Sequence, residues 1–355
     1  MSKHIFITDI HFAVRNGSPY YIERYKLFFK NVFFPYIDKH DIKTVYCLGD
    51  TWEDRKNINI NALKESRDMF FNELEKRDIK FVAILGNHDV FYRNTNNINS
   101  MDIIESSYKN VHIIEEYEEI KIGPKVFGFM SWVNNENLER NLERINTTSN
   151  ADFLCGHYEI TGFEMTKGNI AEKGFSQEIF NRFEMVLSGH FHIKNKIGNI
   201  YYIGNPFQTN WDDYNSDRGF HVYDDETNEF LFIKNTYENF DVVIYEDSVN
   251  IDTFNFDKYK DKKVKILVNK VAQLKQASYL TFIDKLNDVC FEFTVVEINE
   301  EVLNENSTAA LTIKSNIDMI KDYVDTLTIE QNRKSAAINI MLDLYKEATN
   351  LRESN

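Results

Sequence analysis

Apolar residues in the first hundred positions alternate between short continuous runs and helical spacing. Residues 4–8, 44–48 and 80–85 are compact apolar runs that read as strands. Between them, residues 20–39 place Ile22, Tyr25, Phe29, Val32 and Tyr36 at helical spacing, and residues 61–77 do the same with Leu63, Phe70 and Leu74. Consecutive strands joined by crossovers of this length should be parallel, with right-handed connections. After about Val111 the runs shorten and glycine punctuates them. Strand candidates there are 111–115, 126–130, 153–155, 185–187, 201–203, 220–223 and 230–233. Parallel βα units giving way to a strand-rich half predict an α/β core: a two-sheet sandwich flanked by helices.

The texture changes across residues 237–257, which are polar, acidic and aromatic. Beyond them a strand at 264–268, a helix at 272–288 and a strand at 290–297 form a compact α/β unit. Residues 313–327 and 329–351 carry helical patterns, the second with an apolar stripe of Ala337, Ile340, Met341, Leu344 and Ala348. The expected organisation is a core domain over 1–236, a small α/β capping domain over 237–304 and a C-terminal helical segment over 305–355.

Composition narrows the class. A length of 355 residues leaves room for two or more domains, and no apolar run approaches the roughly 18 residues of a membrane span. Met1-Ser2-Lys3-His4 leads straight into a strand pattern, so no signal peptide is expected and no membrane association. Cys47, Cys155 and Cys290 are isolated within apolar runs and read as reduced thiols of a cytoplasmic protein. The net charge of -15 argues against nucleic-acid binding through overall charge, though not against charge concentrated at metals. The 28 Phe and 19 Tyr are read as core packing and genome bias, not as stacking platforms.

Chemistry enters at the strand ends. Asp9-Ile10-His11, Gly49-Asp50, Gly86-Asn87-His88-Asp89, Gly156-His157 and Gly189-His190-Phe191-His192 each follow an apolar run. Strands of a layered α/β domain end at a common edge, so these side chains can converge on one site. The set offers two carboxylates (Asp9, Asp50), one amide (Asn87) and four imidazoles (His11, His157, His190, His192), with His88 left over. Oxygen and imidazole donors in that mixture suit manganese, iron or zinc better than calcium or magnesium alone. Singly, Asp50 could be a helix cap and Asn87 a turn residue. Jointly, one binuclear site is the simpler account. Two divalent cations against two carboxylates leave about two positive charges, enough to attract a phosphodiester to an acidic chain. Such a pair can generate a hydroxide nucleophile and stabilise both attacking and leaving oxygens.

This ordered set resembles the calcineurin-like metallophosphoesterase superfamily. The resemblance implies one metal held by Asp9, His11, Asp50 and His192, and a second by Asp50, Asn87, His157 and His190. It leaves His88 as the imidazole facing the scissile phosphate, oriented by Asp89. Residues 156–163, the Gly189-His190-Phe191-His192 segment, Tyr202-Ile203-Gly204-Asn205-Pro206 and Arg218-Gly219-Phe220 are similar to the SbcD-type nuclease family, including its phage recombination endonuclease subunits. That likeness covers roughly residues 1–235 and reaches the tail by architecture. It implies a manganese-dependent nuclease of DNA recombination and double-strand-break repair, with magnesium, iron or zinc as other occupants. Exonuclease action on double-stranded DNA and endonuclease action on single strands or hairpins are the expected activities. The implied partners are DNA, an SbcC-type coiled-coil ATPase gripped by the C-terminal stripe, and a second copy of the chain meeting through helices 20–39 and 61–77. A phage-encoded member would work in the host cytoplasm.

One position departs from the pattern. Many cellular members carry histidine three residues after the bridging aspartate, where this chain has Glu53, left to pair with Arg55 or to support the ligands. Lys260, Lys262, Lys263 and Lys265 form a basic cluster that either touches the DNA backbone or is a solvated turn. Two rival readings use the same residues: a phosphoesterase of another substrate class, such as a protein phosphatase or cyclic-nucleotide hydrolase, and a non-catalytic scaffold recruiting the ATPase to DNA ends. A scaffold would be expected to have lost ligands or His88, and none is missing.

Overall fold

The computed structural model describes residues 2–246, 248–269 and 276–298, with single positions between 324 and 341. It divides into two compact units: Met1–Thr209 with Ser216–Tyr237, and Asn210–Asn215 with the residues from Glu238 onward.

The larger unit opens with β1 (Lys3–Ile7), β2 (Thr44–Cys47), β3 (Lys80–Ile84) and β4 (Val111–Ile114). It continues through β5 (Tyr117–Ile122), β6 (Lys125–Met130), β7 (Phe153–His157), β8 (Glu164–Thr166), β9 (Asn169–Ile170), β10 (Met185–Gly189), β11 (Asn195–Ile197) and β12 (Ile200–Tyr202). Strands β13 (Gly219–Asp224) and β14 (Glu229–Lys234) close it. One six-stranded sheet runs β14-β13-β1-β2-β3-β4, the other β11-β12-β10-β7-β6-β5. The first four strands are parallel, as the crossover lengths required, and β13 returns antiparallel to β1. Between the sheets, Phe6, Tyr46, Leu48, Val82 and Ile84 meet Phe127, Phe129, Phe153, Cys155 and Leu187 in one apolar core. Each such large side chain stabilises the sandwich by about 1.5–3 kcal/mol through burial.

Two helices, α1 (residues 19–40) and α2 (residues 60–76), pack together through rings such as Phe29 and Phe70, 4.8 Å apart. Each contains one wider π-turn, at Phe29–Phe33 and Arg67–Phe71. A π-turn takes in an extra residue and rotates the following face. Phe28, Phe29, Phe33, Phe34 and Ile37 are therefore buried, while Val32 and Tyr36, expected on that face, are partly exposed. In α2 the turn lets both Phe70 and Phe71 go inward, and Ala62 and Ser66 are buried in place of Leu63.

In the smaller unit β15 (Phe240–Tyr245), β16 (Lys263–Asn269) and β17 (Glu292–Ile298) form a parallel sheet in that order. Helix α3 (Gln276–Asn287) joins it through Phe282 and Leu286, packed with Val243, Tyr245, Val264, Ile266 and Val268. The strand–helix–strand pattern thus gains β15, which lies inside the stretch whose polarity had marked it as a change of texture. Of the C-terminal stripe, Ala337, Ile340 and Met341 are helical and Ile340 is exposed, while Leu344 and Ala348 lie outside the described residues. Among the described residues no helix is long and apolar enough to cross a membrane.

Candidate metal centre

Five strand ends meet at one edge of the larger unit. Asp9 and His11 follow β1, Asp50 follows β2, and Asn87 to Asp89 follow β3 in the first sheet. From the second sheet, His157 ends β7 while His190 and His192 follow β10. The chain turns sharply there: Asp9, His11, Asp50 and His190 all have left-handed backbones, with φ of 50, 51, 50 and 87°. Such conformations cost roughly 1–3 kcal/mol each, and they persist only where surrounding bonds hold them. Here the Asp9, His11 and Phe12 amides donate to the carbonyls of Gly49, Asp50 and Thr51, extending the β1–β2 pairing past the strands. Two glycines make the convergence possible. A Cβ on Gly49, itself at φ 91°, would lie 2.6 Å from His157 Nδ1, and one on Gly86 would strike the Asp50 carboxylate.

The donors fall into two sets. In the first, His11 Nε2 and His192 Nε2 are 3.1 Å apart, and each lies 3.8 Å from Asp9 Oδ1. In the second, Asp50 Oδ2 is 3.2 Å from His157 Nε2, while Asn87 Oδ1 is 3.1 Å from His157 Nε2 and 2.8 Å from His190 Nδ1. Two atoms each about 2.1 Å from one ion are separated by about 3–3.4 Å at octahedral or tetrahedral angles. The closer pairs have that spacing, and the donor types suit a transition metal. Asp50 stands between the sets. Its Oδ1 accepts the His88 backbone N–H at 2.7 Å, which leaves Oδ2 facing His157 and, at 3.9 Å, His11.

Supporting bonds fix the rings. His157 Nδ1 is held by the Leu48 carbonyl at 2.8 Å, and Asp9 Oδ2 accepts from the Thr8 hydroxyl at 2.7 Å. The His192 carbonyl accepts from the Asn205 amide and the buried Arg218 guanidinium, which also donates to Asn205 Oδ1. That gives the Asn205-Pro206 loop and Arg218 a role that no residue pattern had supplied.

Glu53 settles between its two open readings. Its carboxylate lies 2.8 Å from His11 Nδ1, so it backs a candidate ligand and not Arg55. Its main-chain carbonyl accepts from His88 Nδ1, which leaves His88 Nε2 available for chemistry. The expectation that Asp89 orients His88 is corrected by the same geometry. The buried Asp89 carboxylate accepts instead from the backbone N–H groups of Gly86, Trp52 and Thr51, at 2.9, 3.0 and 3.3 Å. It ties two ligand loops together, because three amides converge on it and none belongs to the imidazole.

Charge is tightly coupled across the site. Burial opposes ionisation of Asp9 and Asp50, but the imidazoles of His11 and His192 beside Asp9, and of His157 beside both, outweigh it and hold both carboxyls low. Burial also opposes a charged His157, yet the Asp50 carboxylate lifts it to about 9. Burial dominates at His190, pushed down to about 4, and at Asp89, pushed up to about 6 with the Asp50 charge adding to it. Carboxylates held ionised beside a neutral imidazole are what a cation needs.

Trp132, two residues past β6, was not anticipated. Its ring centroid lies 5.6 Å from that of His190 and 6.1 Å from that of His157. The four lysines of the smaller unit, by contrast, do not form one basic face. Lys262 pairs with Glu238 and Asp241, Lys263 with Glu292, and buried Lys265 lies 4.3 Å over the Trp211 ring, leaving Lys260 exposed.

Residues 3–194, more than half of the chain, match the calcineurin-like phosphoesterase family. The chain belongs to that family. The family is binuclear and metal-dependent, and the described residues bring together candidate metal-binding groups at Asp9, His11 and His192 and at Asp50, His157 and His190. Exonuclease subunit 1 of Enterobacteria phage T4 is 27% identical over 315 residues, covering 88% of this chain and 90% of that protein. Among solved structures, an archaeal phosphodiesterase is 12% identical, with 66% of this chain and 99% of that one covered and a TM-score of 0.35. A purple acid phosphatase from yellow lupin seeds is 14% identical, with 65% and 52% covered and a TM-score of 0.37.

Proposed function

We propose that this chain is a manganese-dependent DNA nuclease. It acts as an exonuclease on double-stranded DNA and an endonuclease on single strands or hairpins, in recombination and double-strand-break repair. The observation that carries this reading is the reach of the similarity to the T4 exonuclease subunit. It spans 88% of the chain, so it runs well beyond the family domain at 3–194 and into the smaller unit. Phosphoesterases of other substrate classes would share the metal centre without requiring that continuation.

Asp9, His11, Asp50 and His192 would hold one ion, and Asp50, Asn87, His157 and His190 the other. When bound, the ions supply an activated water and positive charge for both oxygens of an in-line displacement. The chain's own residues do the rest. Glu53 keeps the His11 proton on Nδ1, which turns Nε2 inward. The Glu53 carbonyl holds His88 with Nε2 free to stabilise charge on the phosphate or to protonate the leaving oxygen. Asp89 keeps the β2 and β3 loops in register, and so keeps Asp50 and Asn87 in place.

The proposal extends to partners: a coiled-coil ATPase docked on the stripe from Ala337 to Ala348, a second copy of the chain, and DNA approached by the exposed Lys260. The test is cleavage of end-labelled duplex DNA with manganese. Manganese-dependent shortening that His88→Ala abolishes, with metal binding retained, is the expected outcome. Hydrolysis of small phosphodiesters without any degradation of DNA would contradict it.

A further inference from the structure

The three tryptophans of the described residues have three different surroundings. Trp52 is buried at 1% exposure among Phe12 and its neighbours, and Trp211 lies under the Lys265 ammonium. Trp132 is half-buried beside two of the proposed metal ligands. Its indole N–H has no hydrogen-bond partner among the described residues, whereas its backbone is pinned on both sides. The Trp132 amide donates to the Leu85 carbonyl at 2.7 Å, and its carbonyl accepts from the side-chain amides of Asn96 and Asn137, each at 3.1 Å. Asn134 locks those two in turn, through its own side chain to Asn96 and its backbone N–H to Asn137. Three asparagines thus anchor the backbone from which one partly exposed ring reaches His190 and His157.

We propose that Trp132 is a nucleobase platform: it stacks the base of a nucleotide flanking the phosphodiester to be cut. This rests on the nuclease reading and deepens it. The first support is position. A ring in contact with the imidazoles that hold the phosphate-binding ions lies within one sugar of a bound phosphodiester, where a base is the nearest flat apolar group. The second is charge. A chain of net charge -15 repels a polyanion at long range, so affinity has to come from short-range terms. The ions supply one such term, and an aromatic face supplies the other whatever the base. The third is anchoring: with the Trp132 backbone held on both sides, only the side-chain rotamer has to be ordered when a base stacks on the ring.

The rival role is a plain cover over His190, and the two differ in what they require of the substrate. The experiment measures manganese-dependent cleavage of an end-labelled single-stranded oligonucleotide by the wild type, Trp132→Phe and Trp132→Leu. Each is given the intact strand and strands with an abasic site on either side of the cleaved bond. Leucine keeps an apolar cover and removes the π-face; phenylalanine keeps a face. Loss of a stacked base should raise KM roughly 5- to 150-fold in the wild type. Trp132→Leu should raise KM on intact DNA by a similar factor and then be indifferent to the abasic site, with Trp132→Phe between. Manganese affinity should be the same in all three. Equal abasic penalties in the wild type and Trp132→Leu would overturn the platform, as would a loss of manganese affinity in Trp132→Leu. Wild-type protein that hydrolyses a small phosphodiester but no oligonucleotide would overturn the nuclease reading itself, and the platform with it.

Discussion

Asp50 in the larger unit and Asp241 in the smaller one are both buried carboxylates, at 2% and 4% exposure, and their partners give them opposite uses. Asp241 is met by two ammonium groups, Lys262 at 3.0 Å and Lys258 at 3.3 Å. These are permanent cations, so its charge is consumed within the fold. Asp50 is met by imidazoles, His157 at 3.2 Å and His11 at 3.9 Å, which can give up their protons. Once they do, nothing but a bound cation balances it. A buried acid beside lysine is a fastener; a buried acid beside histidines and an amide is a candidate metal ligand.

The largest expected effect breaks the site alone. Asp50→Asn should lower phosphodiester hydrolysis by about 10³-fold or more, since it removes the one carboxylate shared by both sets. Steady-state rates read this, and full activity would refute the sharing. Chelation comes next: ions that bind only the folded chain stabilise it by about 2.7 kcal/mol at a hundred times their Kd. Removing them should lower the Tm of the wild type and leave that of Asp50→Asn much less changed, which differential scanning calorimetry can follow. Glu53→Gln should weaken manganese binding by roughly 10- to 100-fold while the fold stays intact, because the ligand His11 loses its charged support. Titration calorimetry gives the number, and an unchanged Kd would make Glu53 a bystander.

Asp241→Asn sharpens the other side of the comparison. Lys258 is half-exposed, so solvent absorbs part of the loss, and destabilisation of about 1–3 kcal/mol is expected with manganese affinity untouched. The smallest effect concerns two buried imidazoles. His157, beside Asp50, is lifted to about 9, whereas burial pushes His221, hydrogen-bonded to Tyr201 and near Lys194, down to about 3. Because the folded pKa of His221 lies below the unfolded value of about 6.5, the unfolded chain takes up the proton first and stability falls as pH drops through 6.5. Between about pH 7 and pH 5.5 this amounts to about 1 kcal/mol, which His221→Phe should remove from the pH dependence of urea unfolding.

How much of this was legible beforehand follows from the reach of each interaction. The seven candidate ligands and His88 could be read because each sits just past an apolar run, and the glycines directly before four of them, Asp50, Asn87, His157 and His190, announce a tight approach. Glu53 could not be assigned: its partner His11 is 42 positions earlier, and only the folded loops bring them to 2.8 Å. Asp89 was misassigned because it neighbours His88 in sequence, while its bonds run to backbone amides 37 and 38 residues away. Trp132 carries no ligand chemistry and gave no signal beyond its place near a strand end, and Arg218 entered only as part of a segment similar to the nuclease family, without a role. The π-turns were hidden by paired phenylalanines, 28–29, 33–34 and 70–71, which fit either helical period. Strand β5 was masked by three charges in six residues. The lysine cluster looked basic only because Glu238, Asp241 and Glu292 lie far from it along the chain.

The measurement closest to the central claim is electron paramagnetic resonance of the manganese-loaded chain, read together with its metal content. Two ions joined through Asp50 should give the spectrum of an exchange-coupled pair at two manganese per chain, collapsing in Asp50→Asn to the signal of isolated ions. Isolated-ion spectra from the wild type at full loading, or saturation at a single ion, would contradict the shared centre.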